Sequence, residues 1–197
     1  MIRNKKNLQK KNIIIAVPKG RILAELLPIL KKIEIDPEKD FFNNNSRRLM
    51  FRTSNQNISM IKVRSFDVVN FVAYGGAHLG IVGLDVIKEF SYEEIYAPIN
   101  LGIGKCRMSV AEPIQLALAD DPSTWSHLKV ATKYPKITKN HFSIRGVQAE
   151  CLKLNGSLEL APSLGLSNRI VDLVSTGKTL KENGLTELEK IMDITSF

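Results

Sequence analysis

The chain has 197 residues, 44% hydrophobic and 24% charged, which is ordinary for a soluble globular protein and sufficient for one domain or two small lobes. Two cysteines without a CxxC pair and three histidines without metal-ligand spacing give no zinc site and point to a reducing compartment. The net charge of +8 suits anionic partners, and no stretch has the length and apolarity of a signal peptide or a membrane span, so a cytoplasmic location and no membrane partner are expected.

The chain opens on a basic tail, residues 1–12, with Arg3, Lys5, Lys6, Lys10 and Lys11. It reads as a solvated leader, because neither aromatic interleaving nor a nucleic-acid motif follows, and nucleic acid is set aside as a partner. Residues 12–17 (NIIIAV) form a β-branched run suited to a buried strand. Pro18-Lys19-Gly20-Arg21 breaks it, and residues 22–33 carry apolar positions at helical spacing, with Pro28 predicting a kink or an early end. Lys19 and Arg21 in such a turn suit an anion contact, with solvated first-turn positions the plainer reading. Residues 49–53 and 58–63 read as neighbouring strands, 67–74 as a helix stopped by Gly75-Gly76, 77–82 as a strand and 85–90 as a helix.

Residues 95–99 and 106–111 are predicted strands flanking Leu101-Gly102-Ile103-Gly104-Lys105, whose two glycines suggest a crossover between lobes. A turn at 122–125, a strand at 128–132, a helix at 135–148 and a strand at 151–154 follow. The order of strands and helices predicts an α/β fold with mostly parallel sheets.

The stretch 159–180 carries the chemistry. Ile170-Val171-Asp172-Leu173-Val174 is a strand with one acid set into it, and Ser175-Thr176-Gly177-Lys178-Thr179 leads into a helix start at Leu180. Strand, small-residue loop and helix start suit a phosphate: backbone N–H groups face the anion, Gly177 permits close approach, and Ser175, Thr176, Thr179 and Lys178 add donors. A Walker-type loop is excluded, since the glycine it requires five residues before Gly177 is Asp172. A plain polar turn remains open as an alternative. Asp172 favours the phosphate reading, because a carboxylate beside such a loop can accept hydrogen bonds from ribose hydroxyls.

Six blocks in order then resemble one family: VPKGRI at 17–22, SRRLMF at 46–51, AHLGIVGLDVI at 77–87, LGIGKCRMSVA at 101–111, KVATKYP at 129–135 and ELAPSLGLSNRIVDLVSTGKTLKENGL at 159–185. The chain resembles the short-form catalytic subunit of ATP phosphoribosyltransferase, the first enzyme of histidine biosynthesis. The resemblance implies a two-lobed fold similar to type II periplasmic binding proteins, with a ligand cleft between lobes. The expected lobes are 13–103 and 104–183, with 184–197 returning toward the first. It implies transfer of phosphoribosyl from phosphoribosyl pyrophosphate to N1 of ATP, with Mg²⁺ carried by the substrate and Asp172 a possible ligand.

The resemblance places the 5′-phosphate on Ser175–Thr179 and the ribose near Asp172 and Glu159. Arg21 and Arg47 fall on the departing pyrophosphate, with Arg47 acting across a dimer interface. Lys19, Leu79, Gly83, Lys105 and Cys106 fall near the nucleotide. Cys106 as a packed strand residue and Glu159 as a helix first-turn acid are the plainer alternatives. His78 stands where the family usually has Asp. The implied assembly is a homodimer within a hetero-oligomer containing a regulatory subunit that resembles histidyl-tRNA synthetase. Two rivals are a binding-only module on the same fold and a transferase acting on a free nucleobase, which commonly shows two adjacent acids before its loop.

Overall fold

In a computed structural model, residues 12–197 are described, and the basic tail at 1–11 lies outside the described residues. The β-branched run becomes β1 (Ile13–Pro18). Gly20, at φ 93 and ψ −146, takes a backbone conformation open to glycine and opens α1 (Arg21–Lys32). That helix passes through Pro28 and does not stop there, because Leu26 and Leu30 on either side are both buried and anchor it. A 3₁₀ turn (Lys39–Phe42) leads to β2 (Met50–Arg52) and β3 (Ile58–Val63), then α2 (Ser65–Ala73) and β4 (Leu79–Gly80). β4 is shorter than the predicted 77–82 strand, although His78 and Ile81 still donate to Ile14 and Ala16 of β1 at 2.9 Å each.

The order of the first sheet is β2-β3-β1-β4, with β1 parallel to β3 and β4, and β2 antiparallel to β3. Beneath it Phe41 meets Phe51 edge-on at 5.2 Å, and Lys62 lies over both rings while its ammonium donates to the Phe41 carbonyl at 2.5 Å.

The second sheet takes α3 (Leu84–Phe90), β5 (Cys106–Pro113), α4 (Ile114–Ala117), β6 (His127–Thr132), α5 (Pro135–Ser143), β7 (Gln148–Lys153), α6 (Leu160–Ser163), β8 (Arg169–Val174), α7 (Lys178–Glu182) and β9 (Leu185–Ile194). A 3₁₀ turn at Pro122–Thr124 precedes β6. The strand order is β7-β6-β8-β5-β9, parallel across β7, β6 and β8 and antiparallel at β5. β9 carries two register shifts against β5, so Val110 faces Glu189 while its neighbour Ala111 faces Glu187. Residues 95–99 form no strand: Pro98 interrupts them, and Tyr96 and Ile99 face solvent. α5 ends nine residues in rather than at 148, and Gly146 follows with φ 72.

Two compact units emerge. One holds the described residues through Val82 with Tyr92–Pro98 and Phe197; the other holds Gly83–Ser91 and Ile99–Ser196. These bounds differ from the expected lobes at 13–103 and 104–183 in the placement of Gly83–Ser91 and residues 99–103. α3 joins the second unit because it packs on α5, where Glu89 accepts from the free N–H groups of Lys136 and Ile137 at 3.0 Å each. The return segment pairs with β5 as the outermost strand of the second sheet. Inside that unit Arg169 stacks 4.3 Å over Trp125 and pairs with Asp120. Its Nε also lies 2.9 Å from the fully buried Glu112, outside hydrogen-bond geometry.

Candidate active site

The loop at the end of β8 is pinned at both ends. Val174 before it and Leu180 after it are buried in one cluster with Ala111, Ala131, Leu158, Ala161, Ile170 and Leu185. Between these anchors Ser175, Thr176, Lys178 and Thr179 stay exposed. Gly177 sits at φ 76, ψ 4 and starts α7. The Thr176 hydroxyl accepts from the Lys178 N–H at 3.4 Å, and the Thr179 carbonyl accepts from Asn183 Nδ2 at 2.9 Å. Lys178 reaches Glu182 only at 3.7 Å with both side chains largely in solvent, so its cation remains available.

Asp172 lies on β8, half-buried, three residues before the loop, and accepts from the Leu173 N–H at 2.8 Å. Burial pushes its carboxyl up to about 6, and the charges of Glu159 and Asp85 push the same way against Lys133. Glu159 is half-buried and immediately precedes α6. Asp85, in the first turn of α3, is 5% exposed and accepts from the Tyr134 hydroxyl at 2.8 Å. Burial raises the Asp85 carboxyl and, together with Asp85's charge, raises the Tyr134 phenol, so this phenol stays protonated as a donor. Cys106 opens β5. Gly83 precedes α3 at a position where a Cβ would meet Asp85 Oδ1 at 2.1 Å, so the glycine is required by packing whatever else it touches.

Asp172, Glu159, Asp85, Lys133 and Tyr134 therefore share one electrostatic neighbourhood at the end of the strand that delivers the Ser175–Thr179 loop. Of these, sequence reasoning missed Asp85, Lys133 and Tyr134. The available signal was an acid set into an apolar run, Leu84-Asp85-Val86-Ile87, as at Asp172, and a Lys-Tyr pair directly after a strand. Among the described residues no group of three or more His, Cys, Asp or Glu is placed to hold a metal.

Lys19, Arg21, Arg47 and Leu79 belong to the first unit and Lys105 to the second. Lys19 is exposed and its N–H donates to Val63 at 3.2 Å, which fixes the turn after β1. Arg21 begins α1 and reaches Glu25 at 3.7 Å. Arg47 is exposed, and among the described residues no carboxylate pairs with it; its neighbour Arg48 is instead tied to Glu38 at 2.7 Å and Asp40 at 3.4 Å. Leu79 is exposed on β4. His78 Nδ1 accepts from the Ile14 N–H at 3.1 Å, which ties it to the start of β1.

The ATP phosphoribosyltransferase family model matches residues 64–197. An ATP phosphoribosyltransferase from Rhizorhabdus wittichii is 61% identical over 184 residues, covering 93% of this chain and 83% of that protein. The ATP phosphoribosyl transferase (HisG:HisZ) complex from Thermotoga maritima contains a chain that superposes with a TM-score of 0.76 at 32% identity, covering 93% of this chain and 85% of that one. The ligand-binding component of an ABC-type import system from Staphylococcus aureus superposes at a TM-score of 0.53 and 9% identity, covering 94% of this chain and 65% of that one; this likeness is one of fold alone.

Proposed function

This chain belongs to the ATP phosphoribosyltransferase family, the enzymes that open histidine biosynthesis, and we propose that its Ser175–Thr179 loop holds the 5′-phosphate of phosphoribosyl pyrophosphate. The observation that carries the assignment is the exposed Ser175–Thr179 loop, with Gly177 opening α7, pinned between buried Val174 and Leu180, with the Asp172 carboxylate three residues before it. Asp172 is mostly ionised at pH 7 because its carboxyl titrates at about 6. It accepts from the ribose hydroxyls, with Glu159 beside it.

As the bond from C1 to pyrophosphate breaks, positive charge grows on the ribose and negative charge on the leaving group. Anionic Asp172 and Glu159 favour the first. Arg21 and Arg47 grip the second, since a guanidinium can hold phosphate oxygens through two bonds, and Arg47 does so from a second copy of the chain. The adenine N1 of ATP attacks with its own lone pair, so no general base is required and positioning supplies most of the rate. Lys19, Leu79, Gly83, Lys105 and Cys106 line the approach of the nucleotide. Mg²⁺, carried by phosphoribosyl pyrophosphate as part of the substrate, would neutralise charge on the leaving group, and Asp172 would be the residue of this chain to hold it.

The chain works in the cytoplasm as a homodimer within a hetero-oligomer whose other subunit is regulatory. Support for the hetero-oligomer comes from the complex in which the Thermotoga maritima chain was solved. A single acid before the loop, where nucleobase transferases commonly show two, favours ATP as acceptor. Pyrophosphate release from phosphoribosyl pyrophosphate and Mg²⁺ should depend on ATP and not be supported by free adenine. ATP-independent release, or silence even with the regulatory subunit added, would overturn the proposal.

A further inference from the structure

Arg107 and Ser109 alternate on β5 and so share a face of the sheet. The register shift between Val110 and Ala111 turns Glu187 of β9 toward that face. Glu187 accepts from Arg107 Nε at 2.6 Å and Nη2 at 2.5 Å, and from the Ser109 hydroxyl at 2.8 Å. The guanidinium is thereby clamped along one edge. Its remaining nitrogen, Nη1, donates to the carbonyl of Ser175 at 3.2 Å.

That carbonyl belongs to the peptide joining Ser175 to Thr176. The peptide is planar and, like every described peptide of this chain, not cis, so its N–H points opposite to its C=O. A carbonyl drawn toward Arg107 therefore sends the Thr176 N–H away from Arg107. We propose that Arg107, clamped by Glu187 and Ser109, is a positioning residue for the phosphoribosyl donor: it fixes the Ser175–Thr176 peptide so that the Thr176 N–H faces the 5′-phosphate. The inference rests on the reading of Ser175–Thr179 as the phosphate loop.

Arg107 touches no substrate in this role; it orients a donor that does. Lysine in its place keeps the charge but has no planar fork, and cannot hold a carboxylate through two bonds while reaching a carbonyl on the other side. Glu187→Gln leaves the side chain's shape and removes the charge that holds the fork. Either change frees the peptide to rotate. The effect belongs to the phosphoribosyl donor, since the loop carries no proposed ATP contact.

The experiment titrates ribose 5-phosphate into ¹⁵N-labelled full chain and follows the Thr176 amide resonance, in the wild type, Arg107→Lys and Glu187→Gln, with steady-state kinetics on the complete enzyme. In the wild type the Thr176 amide shifts with ligand. In both variants that shift shrinks and the KM for phosphoribosyl pyrophosphate rises about tenfold, the scale of one lost charge-assisted contact, while the KM for ATP stays within about twofold. A role limited to holding β5 against β9 predicts lower melting temperatures with the Thr176 response and the KM ratio unchanged, and that result would overturn the inference. A wild-type Thr176 amide that ignores ribose 5-phosphate, with shifts elsewhere, would instead overturn the loop reading itself. If Arg107→Lys fails to fold, Glu187→Gln, which does not contact the loop, decides the matter.

Discussion

Replacing Asp172 by Asn should stabilise the protein in a strictly pH-dependent way. The carboxyl is half-buried on β8, and burial moves it from 3.8 to about 6. Its folded pKa thus exceeds its unfolded pKa: the folded protein binds this proton more tightly, and the benefit is full below about pH 4 and lost as pH rises through about 6. A displacement of about 2 pH units corresponds to about 3 kcal/mol at pH 7.5, with about half of that already lost at pH 5. Asparagine stays neutral throughout and keeps the oxygen that accepts the Leu173 N–H. The gap in unfolding free energy between Asp172→Asn and wild type should therefore widen by about 2.5 kcal/mol between pH 4 and pH 7.5. Urea unfolding at fixed protein concentration measures it. A gap that stays constant across the range would refute the argument, because only a titrating carboxylate makes it move. Catalysis should go the other way, with the KM for phosphoribosyl pyrophosphate rising about 10- to 100-fold on loss of an ionised hydroxyl acceptor.

Gly177→Ala tests the loop backbone without a steric clash, since the nearest atom to an added Cβ is Val174 Cγ1 at 3.9 Å. The φ of 76 alone should cost about 1 kcal/mol, or about 2–4 °C in Tm, and Asn at the same position should cost less; equal Tm values for all three would refute the strain assignment. Arg169→Ala removes the cation beside buried Glu112 and should cost about 3–5 kcal/mol in urea unfolding at neutral pH. Adding Glu112→Gln should recover part of that loss, and additive losses would show that the carboxylate is not what suffers.

The stretch 159–180 was legible because its signals are local. An acid inside an apolar run, a loop of small residues and a following helix start all lie within a dozen positions, and β8, the loop and α7 form as read. Elements with strong punctuation were equally readable, such as β1 before Gly20 and α2 before Gly75. Other departures have particular physical reasons. Buried Leu26 and Leu30 carry α1 past Pro28, where an early end was one expectation, and Pro98 interrupts residues 95–99, which have strand composition but form no strand. The clamp behind the loop was invisible for another reason. Arg107 and Glu187 are 80 positions apart, and their meeting depends on a one-residue shift in strand register that no composition or period announces. Asp85 and Tyr134 meet in the same way, through the packing of α3 against α5.

The register shifts in β9 also bear on how the protein behaves in a crowded solution. β9 is ten residues long and outermost in its sheet, and a flat strand of that length offers a row of open backbone groups on which another chain could build. Two interruptions break that row, and Glu187, Glu189, Lys190 and Asp193 set charge along it. The same irregularity that turns Glu187 toward Arg107 therefore spoils the edge as a template for aggregation. Ironing out the shift would both loosen the loop and leave the protein with an adhesive margin.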